Sequence, residues 1–502
     1  MDGEHVRDCL RLLRQAQELP LDDAERRLLE QAASDFVRDS RRRRRAQVRA
    51  ERRAADAKII AATATGAPDR IMDAALTCGA PPGQRLSVHE YVQLQSDSDP
   101  RTQPPRNTPA KTRPLKHLNR PQRCYVCKNH YRQVHHFYHQ LCPPCAEENF
   151  AYRTARTDLT GRRALLTGGR VKIGHQAALM LLRDGAELTV TSRFPRDTER
   201  RFAAAPDAAD WWSRLRIAAL DLRDPRQIIA FTDDLLGQDL PLDILINNAA
   251  QTLRRSPHAY AALAAAETRR TSSALPTAHT WTAPGFSTPG TRTATLPWVA
   301  ELTSQPAAPV AAAAPECAAM TPTRVAHMQQ ITDEAGLLTE TTASNSWTLQ
   351  LGQVDPVELL EVQLINVIAP FLLADRLLPL LSASSHPHRY VINVSAVEGQ
   401  FTVRNKTSDH PHTNMAKAAL NMMTRTSAHS LAPCGIYTCS VDTGWVTDEK
   451  PLPARERHAS SGWRPPLDII DGAARVYHPI VQGESGQPVH GVLLKDYKSV
   501  PW

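Results

Sequence analysis

The spacing of apolar positions changes several times along the chain, and each change predicts a different kind of element. Val6, Leu10 and Leu13 recur at helical spacing, Pro20 interrupts, and Leu28, Ala32 and Phe36 resume behind the candidate caps Asp22 and Asp23. This predicts a short helix and then a long one within residues 1–62. From Thr63 to about Gln122 periodicity is lost among Pro, Ser, Thr and Arg, as in Pro81-Pro82 and Gln103-Pro104-Pro105-Arg106, and a flexible linker is expected. After Thr160, short β-branched runs alternate with amphipathic helical stretches: Ala164 to Thr167, Leu188 to Thr191, Arg216 to Leu220, Asp243 to Asn247, Tyr390 to Ser395 and Tyr437 to Val441. Such alternation predicts an α/β fold, a doubly wound parallel sheet with helices on both faces, over 159–502. Between about Leu253 and Leu337 the rhythm is broken by Ala, Thr and Pro, and an insertion that leaves the fold and returns is expected.

With 502 residues the chain has room for several folded units. No uninterrupted apolar run reaches about 18 residues. Ile368 to Leu381 comes nearest and is cut by Pro370, Asp375, Arg376 and Pro379, so no membrane partner is expected. Asp2, Glu4, Arg7 and Asp8 lack the order of a secretory signal, and a cytoplasmic location is expected. The net charge of +8 suits an anionic cofactor, an acidic partner or nucleic acid. Arg41 to Arg45, with Arg49, Arg52 and Arg53, form a run that reads as a solvated helix face, a nuclear-import signal or a phosphate-contacting element.

Four of the nine cysteines form two CxxC pairs, Cys124 with Cys127 and Cys142 with Cys145, fourteen residues apart, within a compact module over 123–150. Each pair points two sulfurs at one spot, so the set predicts a tetrahedral zinc site, closed to water and therefore structural. His130, His135, His136 and His139 lie between the pairs as substitute ligands or plain surface residues. Such a module, with the Arg-rich helix, can engage a protein or nucleic-acid partner.

Gly168-Gly169-Arg170-Val171-Lys172-Ile173-Gly174 turns from one predicted strand into a predicted helix, as a pyrophosphate-binding turn does. The next strand ends in Thr191-Ser192-Arg193, where a site selective for NAD would place an acid on the ribose; Arg193 suits a 2′-phosphate, and NADP is expected in preference to NAD. With Asp221-Leu222, Asn247-Asn248-Ala249-Ala250 and Lys417 in this order, the chain resembles the short-chain dehydrogenase/reductase superfamily from about Leu159 to Leu494. The resemblance implies that Thr167, Gly168, Ile173 and Gly174 cradle the pyrophosphate, with Arg170 and Lys172 in the same turn. It also implies that Asp221 and Leu222 meet adenine, that Asn248, Ala249 and Ala250 line the adenosine side, and that Gly444 lies near the nicotinamide. Homo-oligomers are common in that superfamily and are expected here.

The family's glycine motif is interrupted, because Lys172 replaces its second glycine and either clashes with the turn or pairs with phosphate. Of the family's catalytic set, Lys417 and Asn366 match, whereas Thr413 stands at the tyrosine and Ala396 at the serine. An aliphatic hydroxyl holds its proton far more tightly than a phenol. Two substitutes are considered: Ser395, one residue early, polarising the substrate oxygen, and His412, beside Thr413, relaying the proton. Asp442 is a further acid in the cleft or a turn carboxylate, and Arg254, Arg255 and Tyr260 in the insertion are candidate anion contacts. The expected function is an NADP-dependent oxidoreductase acting on a small carbonyl or alcohol through an altered proton relay. The alternative is an inactive nucleotide-binding scaffold or redox sensor whose zinc module binds a partner.

Overall fold

The computed structural model describes residues 3–71, 74–76, 116–269, 275–289, 332–403 and 405–502. Six strands fall where the β-branched runs predict them: β3 (Arg163–Thr167), β4 (Glu187–Ser192), β5 (Leu215–Ala219), β6 (Ile244–Asn247), β8 (Arg389–Ser395) and β9 (Ile436–Asp442). With β7 (His279–Thr282), β10 (Leu493–Lys495) and β11 (Lys498–Val500) they form one sheet in the order β11-β10-β9-β8-β6-β3-β4-β5-β7. All pairings are parallel except the closing β10/β11 hairpin. Both faces are covered, which is why the strand interiors, such as Leu165-Leu166 and Val391-Ile392, are apolar at consecutive positions. One face packs on α4 (Lys172–Arg183) and α8 (Ile469–Glu484). The other packs on α5 (Pro225–Gln238) and α6 (Pro356–Arg376). The strand order reverses between β3 and β6, and this opens a crevice at their carboxyl ends.

By length and composition α6 would suffice to cross a membrane, although the sequence placed its nearest candidate later, at Ile368 to Leu381. Half of its apolar window is buried, with Ile365, Ala369 and Leu373 in the second core, as in a core helix.

Ahead of the sheet come α1 (Gly3–Glu18), α2 (Ala24–Ala61), a hairpin of β1 (Lys116–Arg123) and β2 (His130–Val134), and α3 (Pro143–Arg153). Asp23 caps α2, accepting the N–H groups of Glu25 and Arg26. The apolar stripe that predicted these helices is exposed: Leu28 and Phe36 are 72% and 73% accessible.

The linker expected over 63–122 is shorter at both ends. Thr65 is buried and its N–H reaches the Phe137 carbonyl at 2.9 Å, Arg70 donates to the Pro465 carbonyl at 2.8 Å, and 116–123 are strand. Long-range backbone partners hold segments that have no periodicity of their own; residues 77–115 lie outside the described set. The insertion is likewise part of the fold at its described ends. Strand β7 pairs with β5, and Trp281 packs 5.0 Å from Phe231, while residues 290–331 are outside the described set.

Candidate functional site

Strand β3 ends at Thr167 and the chain turns through 168–171 into α4. Gly168 has φ +73, and a Cβ there would stand 3.0 Å from Ala249; a Cβ at Gly174 would meet the Gly168 carbonyl oxygen at 2.2 Å. Only bare backbone fits either place. The Thr167 hydroxyl accepts the N–H groups of Asn248 and Ala249, each at 3.0 Å, and the Asn248 amide donates to the carbonyls of Thr167 at 2.9 Å and Gly168 at 3.2 Å. Thr167 and Asn248 therefore fix the turn from within. At the carboxyl ends of β3 and β6 this leaves bare backbone at the start of α4, a groove lining of the kind suited to a pyrophosphate.

Three residues of the expected cofactor set behave differently. Lys172 adopts φ +53, a left-handed conformation costing about 1 kcal/mol for a residue with a side chain. It neither blocks the turn nor faces the groove's floor: its Nζ pairs with Glu449 at 3.7 Å, in the loop after β9. Arg170 is turned away, donating to Asp197 and to the Ala335 carbonyl, both at 2.7 Å, because the insertion supplies a carbonyl that the motif cannot announce. The Asp221 carboxylate is gripped by Arg223, at 2.6 Å through Nη2, which in turn pairs with Glu361 at 2.8 Å. Burial alone would raise the Asp221 carboxyl, and the guanidinium outweighs it, holding the group below the ordinary value. Leu222 is buried in the core beneath this edge, and Ala250 is exposed. Arg193 stays at the groove, over the Tyr260 ring at 5.4 Å, and no carboxylate among the described residues pairs with it. Arg254 and Arg255 are neutralised by Asp355 and Glu340, so of the insertion's candidate anion contacts only Tyr260 lies against the groove.

The expected proton-handling residues lie on α7 (Pro411–Leu431), β8 and α6. Lys417 is buried, and its Nζ donates to the Val394 carbonyl at 2.8 Å. Burial drives its ammonium down to about 8, against the pull of Glu398. Thr413, one helical turn earlier on the same face, is buried with a hydroxyl that has no hydrogen-bond partner. His412 points elsewhere, its Nε2 3.2 Å from Glu358 on α6, since adjacent helical residues diverge by about 100°. Ser395 donates its proton to Asn421 at 2.6 Å and has none left for a substrate. Strand alternation turns it to the α7 layer, the face opposite to that of the next residue. Asn366 sits in a π-helical turn of α6, accepting from the Gln251 N–H at 2.8 Å and donating to its carbonyl at 3.3 Å, and so clamps the loop after β6. Asp442 is a turn carboxylate: one oxygen takes the Gly444 N–H and the other Lys495 Nζ, both at 2.7 Å.

The sulfurs of Cys124, Cys127, Cys142 and Cys145 lie within 4.8 Å of one another, with Cys127 and Cys142 3.6 Å apart. Four thiolates about 2.3 Å from one tetrahedral ion stand about 3.8 Å apart, so the set fits a zinc-sized ion. The nearby histidines are not in this group. His139 is hydrogen-bonded to Thr65 at 2.7 Å, and burial presses it down to about 3; His135 accepts from the Phe137 N–H, and burial takes it to about 4.

Two contributions went unseen in the sequence. Tyr125, between the first two cysteines, reaches the loop after β9, where its oxygen accepts the Trp445 N–H at 3.0 Å, beside Gly444. Burial raises its phenol to about 12. Val446, Leu467 and Ile173 share one apolar core with the cysteines, so the four-cysteine module backs both the turn and this loop. Glu398, half-buried and electrostatically coupled to Lys417 and Asp442, is the second; desolvation lifts its carboxyl above the ordinary value. No local motif marks either, because both depend on contacts distant in sequence.

A family model described as short chain dehydrogenase matches residues 162–274. An uncharacterized protein of Acanthamoeba polyphaga mimivirus is 31% identical over 376 residues, covering 71% of this chain and 71% of its own. A probable oxidoreductase of Streptomyces antibioticus is 42% identical over 95 residues, 18% of this chain and 30% of its own. Among solved structures, the NADPH bound carbonyl reductase from chicken fatty liver aligns with 69% of this chain and 100% of its own at 16% identity, with a TM-score of 0.40.

Proposed function

Because the chain belongs to the short-chain dehydrogenase/reductase superfamily, we propose that it is an oxidoreductase moving hydride between NADP and a carbonyl or alcohol substrate through an altered proton relay. The observation that carries this reading is the placement, one turn apart on one face of α7, of a buried Lys417 and the buried, unpartnered hydroxyl of Thr413. When bound, the dinucleotide supplies or takes up the hydride. The backbone at Gly168 and Gly174 holds the pyrophosphate, and Arg193, free of carboxylates, meets the 2′-phosphate.

Thr413 gives its proton to the substrate oxygen as one relayed from Lys417 through a water replaces it, so no alkoxide builds up on the threonine. An ammonium brought down to about 8 releases that proton far more readily than an ordinary lysine. Glu398 acts on Lys417 through its charge, and Asn366 acts by holding the loop at Gln251. The four cysteines hold a structural zinc ion.

The reading is tested by titrating zinc-replete protein with NADPH and NADH while following nicotinamide fluorescence. NADPH should bind more tightly, and Arg193→Asp should reverse the preference. Binding of neither would refute the reading and leave an inactive scaffold.

A further inference from the structure

The middle of α2 is not used by anything described so far. Residues 41–53 carry eight arginines and one acid, Glu51, so these thirteen positions hold a charge of +7 in a chain whose total is +8. Every residue from 41 to 55 is exposed, and among the described residues no carboxylate pairs with any of the eight arginines. The stretch is nonetheless held in a fixed place, because the next turn is anchored. Asp56 is buried and accepts the N–H groups of Asn119 at 2.6 Å and Arg120 at 3.1 Å, which fastens α2 to β1.

At about 100° per residue, Arg41, Arg42, Arg45, Arg49, Arg52 and Arg53 fall within about 120° of arc, on a face about 18 Å long. Like charges at these spacings oppose the helix that displays them, and a polyanion relieves that opposition. Val48 is the one large apolar residue in the stretch. A helix lying in a bilayer surface needs an apolar face, and a protein interface needs apolar or aromatic anchors; within residues 41–53 neither is present, and the exposed Leu28 and Phe36 lie more than a turn earlier and outside the arginine arc. The major groove of B-form DNA is about 12 Å wide and admits an α-helix, whereas that of A-form RNA is too narrow for side chains to enter. Arginine also pairs with phosphate in a two-pronged geometry that lysine lacks. The exposed Arg120 and Arg123 of β1 extend the same charge beside the helix.

We propose that the Arg41–Arg53 face of α2 is a binding site for double-stranded DNA, held mainly through phosphates and therefore tolerant of sequence. The full chain would be titrated, by fluorescence anisotropy, into a labelled mixed-sequence duplex of about 20 base pairs at about 50 to 200 mM KCl. With about four phosphates neutralised, the logarithmic salt slope is about −3.6, and affinity should fall about 150-fold across that range. Combined Arg45→Gln, Arg49→Gln and Arg52→Gln should flatten the slope by about 2.7 while leaving NADPH binding as in the unaltered protein. Absence of DNA binding at low salt, or equal binding by the triple variant, would overturn the proposal. So would tighter binding to duplex RNA of the same sequence or to phosphatidylserine-containing vesicles. None of these outcomes bears on the dinucleotide groove, which the NADPH titration reads separately.

Discussion

Thr413→Val separates the two jobs a buried residue can have. The change keeps the β-branched shape and removes one hydroxyl, at a site that is 2% exposed and where Oγ1 has no hydrogen-bond partner. Burying a hydroxyl without a partner costs a fold about 1 to 3 kcal/mol, so valine should leave stability unchanged or raise it by up to that amount. Loss of a positioned proton carrier should lower turnover by about 100- to 10,000-fold. Thr438 provides the control, since it too is 2% exposed with an unpartnered Oγ1, but it lies in the interior of β9 rather than at the strand end. Thr438→Val should show the same stability change with no loss of activity. The assay combines urea midpoints, NADPH affinity and NADPH oxidation with a panel of aliphatic and aromatic aldehydes. If Thr413→Val lost more than about 1 kcal/mol of stability, or kept full turnover with normal NADPH affinity, the assignment of its free hydroxyl to proton transfer would be wrong.

Lys417→Met should change how stability depends on pH. Below pH 8 both states of the unaltered protein carry the proton and the fold bears the burial penalty. Between about 8 and the ordinary 10.5 only the unfolded chain keeps the proton, and stability rises by about 3 kcal/mol; urea midpoints at several pH values should lose this rise in the variant. Tyr125→Phe removes the acceptor of the Trp445 N–H and should weaken NADPH binding about fivefold, for a bond worth about 1 kcal/mol; unchanged affinity would dissociate the phenol from the nicotinamide side. Arg153→Met strands two fully buried carboxylates, Asp468 and Asp471, and should cost about 3 to 5 kcal/mol in urea unfolding. Adding Asp468→Asn and Asp471→Asn should recover part of that loss, and a triple variant as unstable as the single one would count against the ion pairs as the cause.

The six central strands were legible because a sheet covered on both faces writes its position as apolar, β-branched runs, and the turn at Gly168 because close backbone approach demands glycine. The four cysteines were legible for the same kind of local reason. Less visible was anything decided by a partner distant in sequence. His279 to Thr282 looks like part of an Ala- and Thr-rich insertion until β5 offers it an edge, and Thr65 and Arg70 look like linker until 137 and 465 supply acceptors. In the site, helical spacing put Thr413 one turn from Lys417 on the same face of α7 but said nothing of where His412 would turn. Ser395 was misassigned because its orientation depends on Asn421, twenty-six residues on. Arg170 was misassigned for a like reason, its acceptor coming from Ala335.

The junction of α3 with the start of α8 alters what counts as a separable piece of this protein. Composition puts a boundary near Leu159, yet Arg153 closes on Asp468 and Asp471, Tyr138 donates to Asp471 at 2.6 Å, and the Leu76 N–H reaches Asp468 at 2.7 Å. A chain begun at Leu159 would retain two acids in an apolar setting with their cation left behind. A chain ended there would lose the wall on which its aromatic residues rest. Anyone dissecting the molecule for expression, or grafting its sheet elsewhere, has to carry the four-cysteine hairpin along, since the two halves are welded through charge rather than strung together.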